Sequence, residues 1–353
     1  MELTSDRLEL ILNSLPQLTI GLLGDLFLDR YLDIDPAMEE RSIETGRPAH
    51  QVVRIRNSAG ALGTVLNNLA ALGVGKIVPV TVIGEDGHGY DLLRALTGLP
   101  VDTGRILQLP DRMTPTYIKP LETHPDKPPV ELNRLDVRNR DPLSREAQAL
   151  LAAHLQEAYP ECDGWIVLDQ VPEADAGVVN AATRELLGEL VRQHAEKPVL
   201  VDSRERLGLF YAGIAKGNRR EFLKGSEEGD STDYRRLTEA VHDRVRQTGQ
   251  PAFCTLGEHG ILAVSADGQS FHASAVPVEG PIDIVGAGDA ASSAILCALL
   301  AGASIWEAAA FANLVASITI EQLGTTGVAR PEDVRRRFAE KGSPHVKTGE
   351  LMS

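Results

Sequence analysis

The stretch Asp283-Ile-Val-Gly-Ala-Gly-Asp289, followed at once by the apolar run Ala290–Ala303, is the most informative part of this sequence. The three small residues at 286–288 allow a tight turn whose backbone N–H groups point into open space. A helix starting near Asp289 adds its unpaired N–H groups and its positive dipole end at the same place. The pattern predicts an anion-binding turn with a carboxylate placed to accept a proton from an attacking hydroxyl. The alternative is a glycine-rich turn in which Asp289 only caps the helix.

Composition limits the kinds of partner. The chain has 35 Lys and Arg against 50 Asp and Glu, a formal charge of −15, which disfavours nucleic acid and anionic membranes as partners. Cys162, Cys254 and Cys297 have no metal-ligand spacing, and no secretory signal is visible, so we expect a cytoplasmic protein. The run at 287–303 is interrupted by polar residues and predicts a buried helix, not a membrane span.

Short apolar runs alternate with longer helical patterns, which is typical of a parallel sheet covered by helices on both faces. The predicted strands are Leu18–Leu23, Ile77–Ile83, Trp165–Leu168, Val199–Val201, Ala252–Thr255 and Ile261–Val264. The predicted helices are Ala59–Leu72, Leu143–Tyr159, Ala174–His194, Thr232–Gln247, 288–301, 304–320 and Glu332–Glu340.

Two segments, about 30–57 and 105–135, break this alternation and predict a small β-sheet that covers a pocket as a lid. We therefore expect one domain over 1–342 and a disordered tail over 343–353. Since a small sheet has edges to cover, the lid also suggests a homodimer.

The motifs follow one another in a characteristic order: Gly24-Asp-Leu-Phe-Leu-Asp29, Ser58-Ala-Gly-Ala61, Gly84-Glu-Asp-Gly87, Asn218-Arg-Arg-Glu221-Phe222, Thr255-Leu-Gly-Glu-His-Gly260 and the 283–289 turn. Over residues 18–340 this series resembles the ribokinase, or PfkB, family of carbohydrate kinases. Within that family the chain is most similar to the D-glycero-heptose-7-phosphate kinase domain. That similarity rests on Gly24–Tyr31, Arg134-Leu-Asp136, Phe311-Ala-Asn313 and Gln322–Gly327.

The resemblance implies a ribokinase-like three-layer α/β/α sandwich with a mainly parallel central sheet, a small β-sheet lid, and ATP-dependent phosphorylation of a sugar hydroxyl. It makes Asp289 the general base, with Gly286 in the turn and the N–H groups of Ala287, Gly288 and Asp289 around the transferring phosphate. Such transfer depends mainly on positioning and charge stabilisation, so the physical argument agrees.

On the nucleotide side, the resemblance assigns Mg²⁺ and its waters to Asn218 and Glu221, which suits a cation that prefers few carboxylates and several waters. A helix cap formed by Asn218 is the alternative. The remaining residues implied beside ATP are Thr255, Gly257, Gly260 and Asn313. Asn313 has a second interpretation, in which its amide only satisfies a neighbouring loop. A K⁺ site at the carbonyls of Asp283 and Val285 is left open.

On the sugar side, the implied residues are Asp25, Asp29, Gly60, Ala61, Thr64, Arg134 and Asp136. Asp29 would accept sugar hydroxyls with help from Asp25, although either could instead stabilise a turn. Arg134 and Asp136 could equally form a salt bridge at a strand end. A basic set on the lid, namely Arg47, Arg54, Arg56 and Lys119, either holds a phosphate of the substrate or is simply solvated.

Several positions depart from the family pattern. Thr64 replaces an Asn, Ile284-Val285 replaces a Thr before the turn, and Asp202-Ser-Arg204 replaces Asp-Pro-Lys. The Tyr-x-Lys-Gly expected after Asp169 is missing. The transfer machinery is thus predicted to be intact and the sugar contacts altered. A catalytically silent sugar or nucleotide sensor is the rival hypothesis, and a dinucleotide-dependent dehydrogenase is disfavoured because Gly-x-Gly-x-x-Gly does not follow the first strand.

Overall fold

The computed structural model describes residues 1–124, 127–223, 234–324 and 326–349. Its α-helices are α1 Ser5–Ser14, α2 Leu62–Leu72, α3 Gly87–Ala95, α4 Arg145–Ala158, α5 Ala181–Gln193, α6 Arg219–Phe222, α7 Tyr234–Thr248, α8 Ala287–Leu300, α9 Ile305–Thr319 and α10 Pro331–Lys341. Its strands are β1 Thr19–Gly24, β2 Leu26–Ile34, β3 Glu40–Arg41, β4 Pro48–Ala49, β5 Val52–Ala61, β6 Lys76–Gly84, β7 Ile106–Leu109, β8 Thr116–His124, β9 Lys127–Glu131, β10 Leu135–Val137, β11 Gly164–Asp169, β12 Val199–Ser203, β13 Ile214–Asn218, β14 Ala252–Thr255, β15 Ile261–Val264, β16 Ser270–Ala273 and β17 Val346–Thr348.

The main sheet has the strand order β17-β16-β15-β14-β13-β12-β11-β1-β6-β7. Strands from β7 to β14 run parallel, and β15, β16 and β17 continue antiparallel. Apolar residues of α1, α2, α3, α8, α9 and α10 form the core on one face. Those of α4, α5 and α7 form a second core on the other face, which gives the predicted three layers.

A second sheet stands beside the main one, with the order β10-β8-β2-β5 and β9 paired to β8. We call it the small sheet. It occupies the two segments that break the helix–strand alternation, and β2 begins directly after β1, separated only by Asp25. Because the small sheet starts at the carboxyl end of β1, it lies over the edge of the main sheet where ligands of parallel α/β proteins bind.

Two predicted helices were too long at their N-termini. Residues 59–61 belong to β5, where Gly60 and Ala61 pair with Phe27 and Leu26, so α2 starts only at residue 62. Helix α5 starts at Ala181 because Asn180 forms a capping box with Thr183. The first error arises because strand pairing with β2 decides where α2 begins, and the second because a local capping box sets the start of α5.

The C-terminal prediction was also wrong in part. Val346–Thr348 form β17, which extends the main sheet beside β16, so the expected disordered tail does not begin at 343. The N-terminus helps to hold this edge, since the Met1 ammonium donates to the carbonyl oxygen of Val346 at 2.7 Å. Residues 350–353, and the predicted helix start at 232–233, lie outside the described residues. Among the described helices, none has the length and apolar character required to cross a bilayer.

Candidate active site

The 283–289 turn leads into α8 with Gly286 in the left-handed region, at φ 83°. The N–H of Ala287 donates back to the carbonyl of Ile284 at 3.1 Å, closing the turn. The N–H groups of Gly288 and Asp289 have no acceptor among the described residues. Two of the three N–H groups expected around a phosphate therefore remain available, and the third is used within the turn.

Asp289 is half-buried in the first turn of α8. Burial, together with the nearby Asp202 carboxylate, raises the pKa of Asp289 to about 7. The Gln170 side-chain amide reaches its Oδ1 at 3.5 Å. A carboxyl group with this pKa exchanges a proton near neutral pH, as general acid–base chemistry requires.

A buried lysine that the sequence analysis did not select lies beneath this turn. Lys216 Nζ donates to Asp202 Oδ2 at 2.7 Å, and Ser292 Oγ donates to the same oxygen at 2.9 Å. Burial by itself lowers the pKa of Lys216, but the Asp202 charge outweighs it and the pKa is raised. A Cβ built on Gly288 would lie only 3.1 Å from the ammonium. The charged residue in the otherwise apolar strand ahead of Asn218 was the available signal.

Asn218 and Glu221 form a reciprocal capping box at the start of α6. Asn218 Oδ1 accepts the Glu221 N–H at 3.1 Å, and Glu221 Oε2 accepts the Asn218 N–H at 2.7 Å. The capping alternative is therefore realised. Glu221 Oε1 accepts no hydrogen bond from the described residues, and burial followed by repulsion from Asp202 raises the Glu221 pKa. The pair thus keeps one carboxylate oxygen free, and the charges of Lys216 and Arg204 only partly oppose the rise in the Glu221 pKa.

Over the described ranges, no three or more His, Cys, Asp or Glu side chains gather as a metal cage. Asp202 acts on two other carboxylates here, since its charge comes after burial among the causes that raise the pKa of Asp289 and of Glu221. Such a set suits a cation that keeps most of its waters, which is the preference of Mg²⁺.

A large cavity of about 620 Å³ opens on one side of the turn, where Ala287 and Gly288 form part of its wall. Its remaining wall is mainly apolar and includes Val276, Val278 and Ile320. Five residues implied on the nucleotide side line it: Asn218, Thr255, Gly257, Gly260 and Asn313. The motif order had grouped these residues as nucleotide-side candidates although they lie up to 95 positions apart, from Asn218 to Asn313. The structure places them on the wall of one cavity.

Asn313 has both roles that the sequence allowed. Its Nδ2 donates to the carbonyls of Ala273 at 2.9 Å and Ser274 at 3.1 Å, so both amide protons are used. The side chain also lines the large cavity. The two hydrogen bonds fix the amide, and its oxygen is the group left for a ligand.

A second, more polar cavity of about 380 Å³ opens on the other side of the turn, bounded by Gly286 and Asp289. We call it the acceptor cavity. Four implied sugar-side residues line it: Asp29, Ala61, Thr64 and Arg134. Asp25, Gly60 and Asp136 are not on its wall.

Asp25 instead lines a small adjoining cavity of about 30 Å³, and its Oδ1 accepts the N–H of Val178 at 3.0 Å. Burial raises its pKa to about 7. Gly60 acts through a neighbour, since a Cβ there would lie 2.4 Å from Asp29 Oδ2. Lys119 Nζ forms an ion pair with Asp29 Oδ1 at 3.1 Å, and this oxygen is buried.

The cations of the acceptor cavity differ from the predicted set: they are Lys119, Arg134, Arg138, Arg204 and Arg206. Only Lys119 of the predicted lid set is among them. Arg56 is committed to Asp33 through contacts of 2.8 and 3.1 Å, and Arg47 and Arg54 are absent from the wall. The sequence did not show which face of each strand points inward.

Arg134 and Asp136 form the strand-end salt bridge given as an alternative, with contacts of 2.6 and 2.9 Å. The Arg134 guanidinium also stacks over the Tyr117 ring at 4.3 Å, which holds it on the cavity wall. The carboxylate of Asp283 is used locally, accepting the N–H groups of Val285 at 3.0 Å and Gly324 at 3.1 Å.

Comparison with known proteins agrees with this arrangement. Residues 29–332 match the model of a family described as pfkB family carbohydrate kinase. The bifunctional protein HldE of Trichlorobacter lovleyi is 29% identical over 345 residues, which cover 94% of this chain and 66% of that protein. The chain thus spans just under two thirds of the length of this curated relative.

Solved structures show the same fold. Arabidopsis thaliana ribokinase, complexed with ribose and ATP, aligns with a TM-score of 0.65 at 17% identity, over 91% of this chain and 98% of that one. The phosphofructokinase-2 of Escherichia coli, in complex with substrates and products, aligns with a TM-score of 0.66 at 17% identity, over 92% and 99%. The ribokinase-like fold expected from the motif series is confirmed.

Proposed function

The chain belongs to the pfkB family of carbohydrate kinases, phosphotransferases that act on an alcohol group, and from that premise we propose how it works. It transfers the γ-phosphoryl group of Mg·ATP to a hydroxyl of a sugar or sugar phosphate. The nucleotide occupies the large cavity and the sugar occupies the acceptor cavity. The turn at 286–289 binds the group in transfer.

The observation that carries this proposal is the position of the first turn of α8 between the two cavities. Ala287 and Gly288 face the large cavity, and Gly286 and Asp289 face the acceptor cavity. A phosphoryl group that passes from one cavity to the other must cross the open N–H groups of Gly288 and Asp289. These donors would stabilise charge on the equatorial oxygens of the transition state.

In the proposed reaction the acceptor hydroxyl oxygen attacks the γ-phosphorus. A new P–O bond forms, the bond to the β–γ bridging oxygen breaks, and ADP leaves with that oxygen. The hydroxyl proton passes to Asp289, whose carboxylate must be ionised to accept it. Lys216, fixed by Asp202 beneath Gly288, supplies positive charge next to the leaving side.

Asn218 and Glu221 would hold Mg²⁺ through water, and the open Oε1 of Glu221 supports this assignment. The bound ion would neutralise phosphate charge. A K⁺ requirement at the Asp283 and Val285 carbonyls, implied by the resemblance, stays a prediction.

The acceptor cavity supports a phosphorylated polyol such as heptose 7-phosphate. Asp29 offers carboxylate oxygens for hydroxyl groups, and the guanidinium groups along the wall suit an anion. HldE-like relatives make a heptose phosphate the first acceptor to test.

We also propose that two copies pair through the small sheet. Strand β5 is its edge, and Val52, Val53 and Ile55 on that edge are 44–59% exposed. Covering these side chains would remove apolar surface from water and satisfy the open strand edge.

The test is ADP release from Mg·ATP with a panel of free and phosphorylated sugars, heptose 7-phosphate included. Asp289→Asn is measured in parallel on the best acceptor. The variant should fold and lose at least about 10³-fold in kcat, since it cannot accept the hydroxyl proton. Wild-type kcat should rise with pH through about 7 as Asp289 ionises, and the residual rate of the variant should not follow that profile.

Full activity in Asp289→Asn would overturn the assignment of the base. Absence of turnover on every sugar, combined with a rise in melting temperature on adding ATP or a sugar, would favour the silent sensor over the kinase.

A further inference from the structure

Arg204 lines the acceptor cavity, and its side chain has no hydrogen-bond or ion-pair partner among the described residues. It follows β12, and its backbone N–H donates to the carbonyl of Asp169 at 3.2 Å, which fixes the turn. Its side chain lines the acceptor cavity together with Gly286 and Asp289. Within the described ranges its guanidinium makes no hydrogen bond or ion pair.

The neighbouring Arg206 is different although it lines the same cavity. Its guanidinium is committed to Asp169 Oδ1 at 2.8 Å and Oδ2 at 3.2 Å, and to the carbonyls of Val171 and Pro172. Arg206 therefore holds the loop after β11 in place and has few donors left. Arg204 is exposed and retains all five of its N–H donors.

The Arg204 charge also acts on two carboxylates near the α8 turn, Asp289 on the acceptor-cavity wall and Glu221 at the start of α6. Burial raises the pKa of Asp289, and the Arg204 charge is among the groups that oppose that rise. Burial is also the largest cause that raises the pKa of Glu221, and the Arg204 charge again opposes that rise. One free guanidinium thus lies on the acceptor-cavity wall with Gly286 and Asp289, and its charge also acts on Glu221, whose capping partner Asn218 lines the large cavity.

We propose that Arg204 binds the γ-phosphoryl group of the nucleotide and holds its charge during transfer. This inference rests on the proposed function, because it places the γ-phosphate at the turn between the cavities. Two parallel N–H donors of the guanidinium would take two equatorial oxygens, opposite the N–H groups of Gly288 and Asp289. Arg204 gives up no atom or proton in the step.

The test is the binding of two nucleotides by calorimetry, which needs no knowledge of the sugar. Mg·AMP-PNP, a non-hydrolysable ATP analogue, carries the γ-phosphoryl group, and Mg·ADP lacks it. Arg204→Gln should raise the Kd for Mg·AMP-PNP by about tenfold or more, as expected for the loss of charge-assisted hydrogen bonds. The Kd for Mg·ADP should not change. Arg192→Gln removes the same charge from the exposed surface of α5 and should change neither affinity.

The proposal would be overturned if Arg204→Gln lost affinity for both nucleotides equally. It would also be overturned if the variant bound Mg·AMP-PNP as tightly as the wild type does. Turnover distinguishes this from the parent hypothesis. If Asp289→Asn is fully active while Arg204→Gln loses affinity for Mg·AMP-PNP but not for Mg·ADP, only the assignment of the base fails. If Asp289→Asn is inactive while Arg204→Gln binds the analogue normally, only the role of Arg204 fails. A wild-type chain that binds neither nucleotide overturns both.

Discussion

The two cavities on either side of the α8 turn are built from different chemistry. The large cavity is formed mainly by apolar side chains and glycines, and five of the six residues that the family pattern implied on the nucleotide side are on its wall, Glu221 being the exception. The acceptor cavity is lined by five cations, and all of them except Arg204 already face carboxylates: Arg134 and Arg138 bond Asp136, Arg206 bonds Asp169, and Lys119 lies 3.1 Å from Asp29. Three of the seven residues implied there, namely Asp25, Gly60 and Asp136, are off its wall.

This difference teaches where a motif is informative. A nucleotide is held largely by backbone and by shape, so the glycines that permit close approach recur at recognisable positions. A sugar is recognised by side-chain hydrogen bonds, which can come from any strand that faces the cavity. Most residues of the nucleotide side can therefore be grouped from sequence order, although Lys216 was missed, and the acceptor contacts need the three-dimensional arrangement.

Among variants that keep Asp289, the largest effect should come from Lys216, which lies beneath the turn between the two cavities. Lys216→Met would remove the cation beneath Gly288 and leave the Asp202 carboxylate buried without its partner. We expect kcat to fall by at least about 10²-fold. We also expect the free energy of unfolding to fall by about 3–5 kcal/mol, measured by urea denaturation.

The double variant Lys216→Met with Asp202→Asn separates these effects. Removing the unpaired charge should restore part of the stability and none of the activity. If the double variant regained turnover, the ammonium would have no role in transfer.

An intermediate effect is expected on the acceptor side alone. Gly60→Ala would place a Cβ 2.4 Å from Asp29 Oδ2, so that the carboxylate must move. The KM for the sugar should rise by about tenfold, roughly the loss of one charge-assisted hydrogen bond, while the KM for ATP stays unchanged.

Gly188→Ala is the matched control. Gly188 lies within α5, and a Cβ there would meet only the Arg192 guanidinium at 3.6 Å. It should leave both KM values unchanged and stabilise the helix by about 1 kcal/mol. A similar rise of both KM values in Gly60→Ala would mean that the two cavities are not independent.

The smallest effect is expected on the nucleotide side. Asn313→Ala would remove the two hydrogen bonds to the Ala273 and Ser274 carbonyls and the amide oxygen that faces the large cavity. The KM for ATP should rise by about threefold to tenfold, consistent with the loss of one neutral hydrogen bond, and the KM for the sugar should not change. An effect on the sugar alone would contradict the assignment of the two cavities.

Local sequence determined a large part of this molecule. The alternation of apolar runs and helical patterns predicted the layered sheet, since burial on both faces of parallel strands requires it. Gly286 and Gly257, at φ 83° and 61°, stand where the backbone turns through the left-handed region, so their positions could be read directly. The order of the motifs grouped five residues that line the large cavity, namely Asn218, Thr255, Gly257, Gly260 and Asn313.

Tertiary structure decided the rest. Whether Gly60 belongs to a strand or a helix depended on pairing with Phe27 across the small sheet, and β17 formed because the edge of the main sheet was open to it. Which arginines are committed and which stay free depended on carboxylates far away in sequence: Asp169 engages Arg206, and no described side chain engages Arg204. Charge pairing acts through space and leaves no periodicity along the chain, so only the folded structure identifies the cations that remain for a ligand.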